Sequence, residues 1–305
     1  MGKSWDEIAH YEYNEDVIDL QAINYFLNNA IERGRIEVSS RKDDTKTILS
    51  NLRLISGNGC LTNAALLLFG KDPMRYFPGA KFKIGRFGVD ESDLMFDDVV
   101  EGNILQMADK VVALLKSKYL ISPIHYDGMR RMEPLEIPED ALREMLFNAI
   151  VHKDYSGVPI QMDVYNDHIE LWNQGLLPSQ LTIDNLLAKH KSYPRNQLIA
   201  NVFYLAGFIE TWGRGISKIR SGFEREKMAI PTFKEEQGGF CLSFKRKYPG
   251  MTDQVTDQVT DQVTDQVKAL LSIFGNSCLS VKEMMSKMHL THRRSFVVTY
   301  LMPAI

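Results

Sequence analysis

The chain has 305 residues, 44% apolar and 25% charged, with a formal net charge of −3. That balance is globular and excludes a fibrous chain or one disordered throughout. The longest apolar run, residues 64–69, is far too short for a membrane span, and residues 1–20 hold no apolar signal core. Three scattered cysteines, Cys60, Cys241 and Cys278, form no metal spacing and are an odd count for a disulfide framework. A reducing, cytoplasmic setting without a membrane partner is expected.

In chain order, apolar spacing predicts helices over 17–34 and 45–55, ending at Gly34 and Gly57. Thr62 reads as the N-cap of a helix from Asn63 to Phe69, stopped by Gly70. Alternation predicts a strand from Lys81 to Phe87. Residues 99–118 read as one amphipathic helix, its apolar face starting at Val99. Turn signals crowd residues 122–140, including Ser122-Pro123, Asp127-Gly128 and Ile137-Pro138, and suggest a seam. A helix from Glu139 to His152 follows. Next come strands at Ile160 to Tyr165 and His168 to Trp172, joined by Asn166-Asp167. Helices at 182–189, 197–206 (capped by Asn196) and 216–225 precede a strand from Gly239 to Phe244. The expected class is α+β, with helices on one face of a mixed sheet.

Residues 252–267 repeat Thr-Asp-Gln-Val four times. On a helix, that period would rotate each repeat by about 40°, and Thr and Val are modest helix formers. The segment reads as a low-complexity linker, with an interaction helix as the alternative. Beyond it, Lys268, Lys282, Lys287, Arg293 and Arg294 face Glu283 alone, a net +4 on residues 268–305 against −7 on the rest. Ser280 and Glu283 form a capping box, and a further helix opens at Thr291 with His292, Arg293, Arg294 and Ser295 in its first turn. This pattern fits a plain or winged helix-turn-helix in which Lys282, His292, Arg293, Arg294 and Ser295 meet DNA. A small helical packing domain with a solvated charged turn is the alternative. Four segments result: a 1–130 linking region, a 131–249 domain, a 250–267 linker and a 268–305 tail.

The chemistry centres on Ala141 to His152. This helix is nearly all apolar, yet Glu144, Asn148 and His152 recur every four residues, so they share one stripe. A carboxylate can orient or deprotonate water, an amide oxygen can ligate Mg²⁺, and an imidazole beside Lys153 can meet phosphate. The plainer alternative is the polar edge of a core helix. Asn173 and Gly175 form a turn after a strand, and Gly213 and Gly215 open a helix with N–H groups suited to phosphate. Arg195 is a candidate anion contact or a solvated turn residue.

The order Glu-x-x-x-Asn, a turn after a strand, then Gly-x-Gly before a helix resembles the GHKL nucleotide-binding fold of gyrase, MutL and histidine kinases. Residues 141–156, Pro194-Arg195-Asn196 and Glu210-Thr-Trp-Gly-Arg-Gly-Ile216 are similar to one bacterial family of transcriptional regulators labelled as related to the RecG helicase C-terminus. The resemblance runs from about Lys3 to Phe244 and includes Leu61 to Gly70. It implies a GHKL-like two-layer α/β sandwich preceded by a small α+β region and followed by a helix-turn-helix tail. By resemblance Glu144 orients water as the catalytic residue, Asn148 holds Mg²⁺, and Gly213 and Gly215 face the phosphates of ATP. Two positions depart from the pattern: Trp172 stands nearest the place of the adenine-reading Asp, and Gly175-Leu176 replaces Gly-Gly. The family's Schlafen-like domain does not precede these motifs, so the chain reads as a fragment, a split gene or a truncated form.

The expected function is a DNA-binding transcriptional regulator with a nucleotide-sensing domain, with DNA, a second copy and a Schlafen-like polypeptide encoded upstream as partners. The alternatives are a weak Mg²⁺-dependent ATPase and a catalytically inert scaffold. Gly2-Lys3-Ser4 lacks the remainder of a P-loop, so helicase activity is not expected.

Overall fold

A computed structural model describes residues 3–122, 125–127, 130–132, 134–188, 191–210, 213–249, 285 and 287. The chain divides into two compact units, Met1–Pro249 and Gly250–Ile305. In the second, Met285 and Lys287 are described, both helical. The expected linker and the DNA-facing residues Lys282, His292, Arg293, Arg294 and Ser295 lie outside the described residues.

The first unit opens with β1 (Ala9–Glu12), α1 (Leu20–Glu32), α2 (Thr45–Asn51), β2 (Cys60–Thr62) and α3 (Asn63–Phe69). Asp19 caps α1 by accepting from the N–H groups of Gln21 and Ala22, and Thr62 Oγ1 caps α3 through Ala65 N at 3.2 Å. Next come β3 (Phe82–Phe87), β4 (Leu94–Val100) and α4 (Ile104–Leu114), the last continuing into a π-helical turn at Leu115–Tyr119. The single helix expected over 99–118 is therefore corrected. Val99 belongs to a strand, and the helix starts after Asn103, whose side chain caps it through Gln106 N.

The hairpin β5 (His125–Asp127) and β6 (Arg130–Met132) leads to α5 (Glu139–His152), β7 (Ile160–Val164), β8 (His168–Gln174) and α6 (Ile183–Leu186). The chain continues through α7 (Gln197–Leu205), α8 (Gly215–Arg225), β9 (Thr232–Glu236) and β10 (Gly239–Lys245). Six strands form one sheet in the order β4-β3-β7-β8-β10-β9, and β3 with β7 is its parallel pair. The class is mixed α+β.

The turn-rich 122–140 stretch is not a boundary between compact units. It is a hairpin excursion closed at its base. Ile121 N donates to Glu136 Oε1 at 2.9 Å, and Glu136 N donates to Ile121 O at 3.1 Å. Glu136 also holds Arg246 through two bonds, at 3.0 and 2.7 Å, with both side chains fully buried. Strands β3 and β4 from the N-terminal side complete the sheet.

Burial alternates along β7 and β8, with Ile160, Met162, Val164, Ile169 and Leu171 buried and their neighbours half-exposed. One face of the sheet therefore meets the core. Helix α5 packs against α4, α7, α8 and β8, which explains why apolar residues occupy most of its faces. Asn196 departs from its expected role. It sits at the N-cap position of α7, but its Nδ2 donates to Val151 O and Lys153 O, both at 2.8 Å, closing the end of α5. Among the described residues no helix is long and apolar enough to cross a membrane.

Candidate functional site

Glu144, Asn148 and His152 line one cleft of about 820 Å³, within the range of small-molecule sites. Their common helical stripe faces the cleft beside Met145, Ala149 and Val151, while the remaining apolar residues of α5 pack on its neighbours. The cleft is also lined by Asn173 and Gly175 at the end of β8, by Gly213 and Gly215 at the start of α8, and by Arg195. The chain thus brings together residues separated by 71 positions in sequence, from Glu144 to Gly215.

Each wall has a local cause. Residues alternate along β8, so Asn173 is buried toward the cleft while Trp172 points to the other face, its Nε1 donating to Glu236 O at 3.2 Å. The residue at the strand exit on the cleft side is therefore Asn173, not Trp172. Gly175 has φ +119°, a region that favours glycine. The Arg195 guanidinium lies against it, Nε donating to His152 O at 3.1 Å and a terminal nitrogen to Leu176 O at 2.6 Å. Arg195 thus clasps the strand-exit turn to the end of α5.

At the start of α8, Gly215 permits a close approach. A β-carbon there would overlap Glu144 Oε1 and stand 3.1 Å from Asn148 Nδ2. Arg214, at the N-cap position, makes no side-chain cap, so among the described residues the first N–H groups of α8 are left open at this helix end.

Glu144 is 9% exposed, and burial raises its pKa above the ordinary carboxylate value, opposed by Lys218 and by the bond from Asn148 Nδ2 at 3.4 Å. A desolvated carboxylate is a stronger base than one in water.

Lys153 does not share the site. The next position on a helix turns by about 100°, and this side chain is buried, its Nζ donating to Asp154 O at 2.9 Å and Val158 O at 2.6 Å. Burial pushes its pKa down to about 8. The expected pairing with His152 toward phosphate is not what the structure forms.

Three charged residues were missed in the sequence reading. Glu210 accepts from Arg214 at 2.7 Å and pairs with Lys218 at 2.9 Å, and Lys218 Nζ also stands 3.8 Å from Glu144 Oε2. Hydrogen bonding and charge from Lys218 hold the Glu210 carboxyl below its ordinary value. The signal was available: Glu210, Arg214 and Lys218 recur every four residues.

Comparison with known proteins bears on part of this site. Residues 157–244 match the family model HATPase_c_4, described as "Putative ATP-dependent DNA helicase recG C-terminal". The match contains Asn173, Gly175, Arg195, Gly213 and Gly215 but begins after Glu144 and Asn148. Residues 265–305 match a model described as "Filamentation induced by cAMP protein Fic-like, C-terminal domain". This is the segment in which a helix-turn-helix was expected. No curated protein matches the chain. In shape the chain is similar to the crystal structure of the DIP2311 protein from Corynebacterium diphtheriae, with a TM-score of 0.63 at 15% identity. That likeness covers 96% of this chain and 59% of the other, and concerns the fold alone. Within residues 157–244, the chain carries a RecG-related, HATPase-type domain.

Proposed function

We propose that the cleft binds a nucleoside triphosphate, ATP being the expected one, together with Mg²⁺, in a GHKL-like sandwich. The observation that carries this reading is the convergence of the Glu144–Asn148–His152 stripe with the Gly213–Gly215 turn on one cleft. The uncapped start of α8 offers N–H groups and the positive end of a helix dipole to phosphate. The side chains fit Mg²⁺ in the manner this ion prefers, with few protein ligands and the rest from phosphate and water. Asn148 commits its amide nitrogen to Glu144, which leaves its oxygen as the ligand. When bound, Mg²⁺ neutralises phosphate charge. Glu144 orients water and accepts its proton in any slow hydrolysis, and its raised pKa means that turnover rises with pH as the carboxyl ionises. His152 and Asn173 complete the polar lining.

The test is equilibrium binding of a fluorescent ATP analogue with Mg²⁺ to the full chain and to Asn148→Ala. Weaker binding in the variant, and an equal loss when Mg²⁺ is chelated from the unsubstituted chain, support the reading. Equal affinity with and without the amide sinks it.

A second reading adds DNA as a partner of residues 268–305, making the chain a nucleotide-responsive regulator. The net +4 charge of that segment favours it. Reversing Arg293 and Arg294 to Glu is then expected to weaken DNA binding and flatten its salt dependence; an unchanged slope removes the tail as the reader.

A further inference from the structure

We propose that Glu210 is an internal counter-ion that occupies two cations at the start of α8, Arg214 in the cleft and Lys218 beside it, until a polyphosphate displaces it. This deepens the nucleotide reading and rests on it. One carboxylate serves both cations, Oε2 at 2.7 Å from Arg214 and Oε1 at 2.9 Å from Lys218. Glu210 and Arg214 line the cleft beside the start of α8, and Lys218 bridges from Glu210 to Glu144 at 3.8 Å.

The four charges of this cluster cancel. An anion arriving at the cleft therefore meets no net attraction from them while Glu210 holds its partners. Arg214, Lys218 and Glu210 each expose more than a third of their side chains, so these ion pairs are weak and easily exchanged. A polyphosphate offers several charges and a geometry that a guanidinium binds through two N–H groups, which a single shared carboxylate cannot match. Glu210 then sets a threshold. It lowers affinity for weak or singly charged anions and releases both cations together to a multiply charged chain.

The test is calorimetric titration of the full chain with Mg-ATP and, separately, with inorganic tripolyphosphate. Glu210→Gln is expected to bind tripolyphosphate about 3- to 10-fold tighter at low salt, the gain shrinking at high salt. Lys218→Met is expected to bind it more weakly. A purely structural role for Glu210 predicts the opposite for Glu210→Gln, since loss of a tie loosens a site. Should Glu210→Gln melt early, Glu210→Ala is read in the same way. Unchanged or weaker tripolyphosphate binding by the folded variant overturns the counter-ion role, even if ATP binds the original chain. Tripolyphosphate binding that tightens in the variant while ATP fails to bind supports the counter-ion and overturns the nucleotide reading. Failure of the original chain to bind either anion overturns both.

Discussion

The Asp6 carboxylate accepts hydrogen bonds from Leu198 N at 2.8 Å and from Ile199 N at 3.0 Å, closing the start of α7 from 192 residues away. Asp6 is fully buried, and burial raises its pKa against the opposing bonds from Ser4 and the two amides. The adjacent Trp5 packs on Phe77 and Tyr155, so a short N-terminal turn is tied to the domain that carries the cleft. Replacing Asp6 by Ala removes the acceptor and is expected to cost about 1–3 kcal/mol. Thermal unfolding followed by circular dichroism measures it, and Asp6→Asn, which keeps an acceptor oxygen, recovers most of the loss.

Gly215→Ala forces a β-carbon into Glu144 Oε1. The expected result is a stability loss of about 1–3 kcal/mol from overpacking, with a larger proportional loss of Mg-nucleotide binding because Glu144 and Asn148 must move. Binding and melting measured on the same sample separate the two effects. Unaltered nucleotide affinity would show that this close approach plays no part in the site.

Lys153 gives a pH signature. The folded chain releases its proton near pH 8, whereas the unfolded chain holds it to about 10.5. Between those values the unfolded state binds the Lys153 proton more tightly, so the Lys153 contribution to stability rises with pH, by about 3 kcal/mol at most, while the buried Cys241 thiol, pushed up to about 12, contributes in the opposite direction above about 9. Urea unfolding across this window reads the slope, and Lys153→Met is expected to remove the rise and leave the opposing fall from Cys241.

The buried pair Glu136–Arg246 is asymmetric in its consequences. Arg246→Met leaves the Glu136 carboxylate buried opposite no cation and is expected to cost about 3–5 kcal/mol. Adding Glu136→Leu to that variant should restore much of the loss. A double-mutant cycle by urea unfolding checks the sign of the coupling, and additive losses would contradict it.

Much of the local architecture was legible because its causes are local. Thr62 caps α3 through its own third neighbour, and apolar spacing places α5, α7 and α8 within a residue or two of their observed ends. The Glu144–Asn148–His152 stripe was legible for the same reason, since four-residue spacing fixes a common helix face before anything packs on it. Of the strands in the six-stranded sheet, β4 and β9 were not read, nor were the short strands β1, β2, β5 and β6 outside it. Residues 94–100 and 232–236 sit at the two edges of the sheet, where one side lacks a strand partner and the alternation in burial is weak.

What the sequence determined by itself was therefore the set of short-range elements, the polar stripe on α5 and the glycine turns, all governed by backbone geometry over a few residues. Tertiary structure decided which of these meet. It turned Lys153 into the interior while His152, its neighbour, reached the cleft. It gave the capping of α7 to Asp6 rather than Asn196, joined the two sides of the 122–140 stretch in one sheet, and brought Lys218 to 3.8 Å from Glu144 on α5. Those outcomes depend on long-range packing and on which charges approach one another once the sheet has formed, and neither is encoded in the spacing of neighbouring residues.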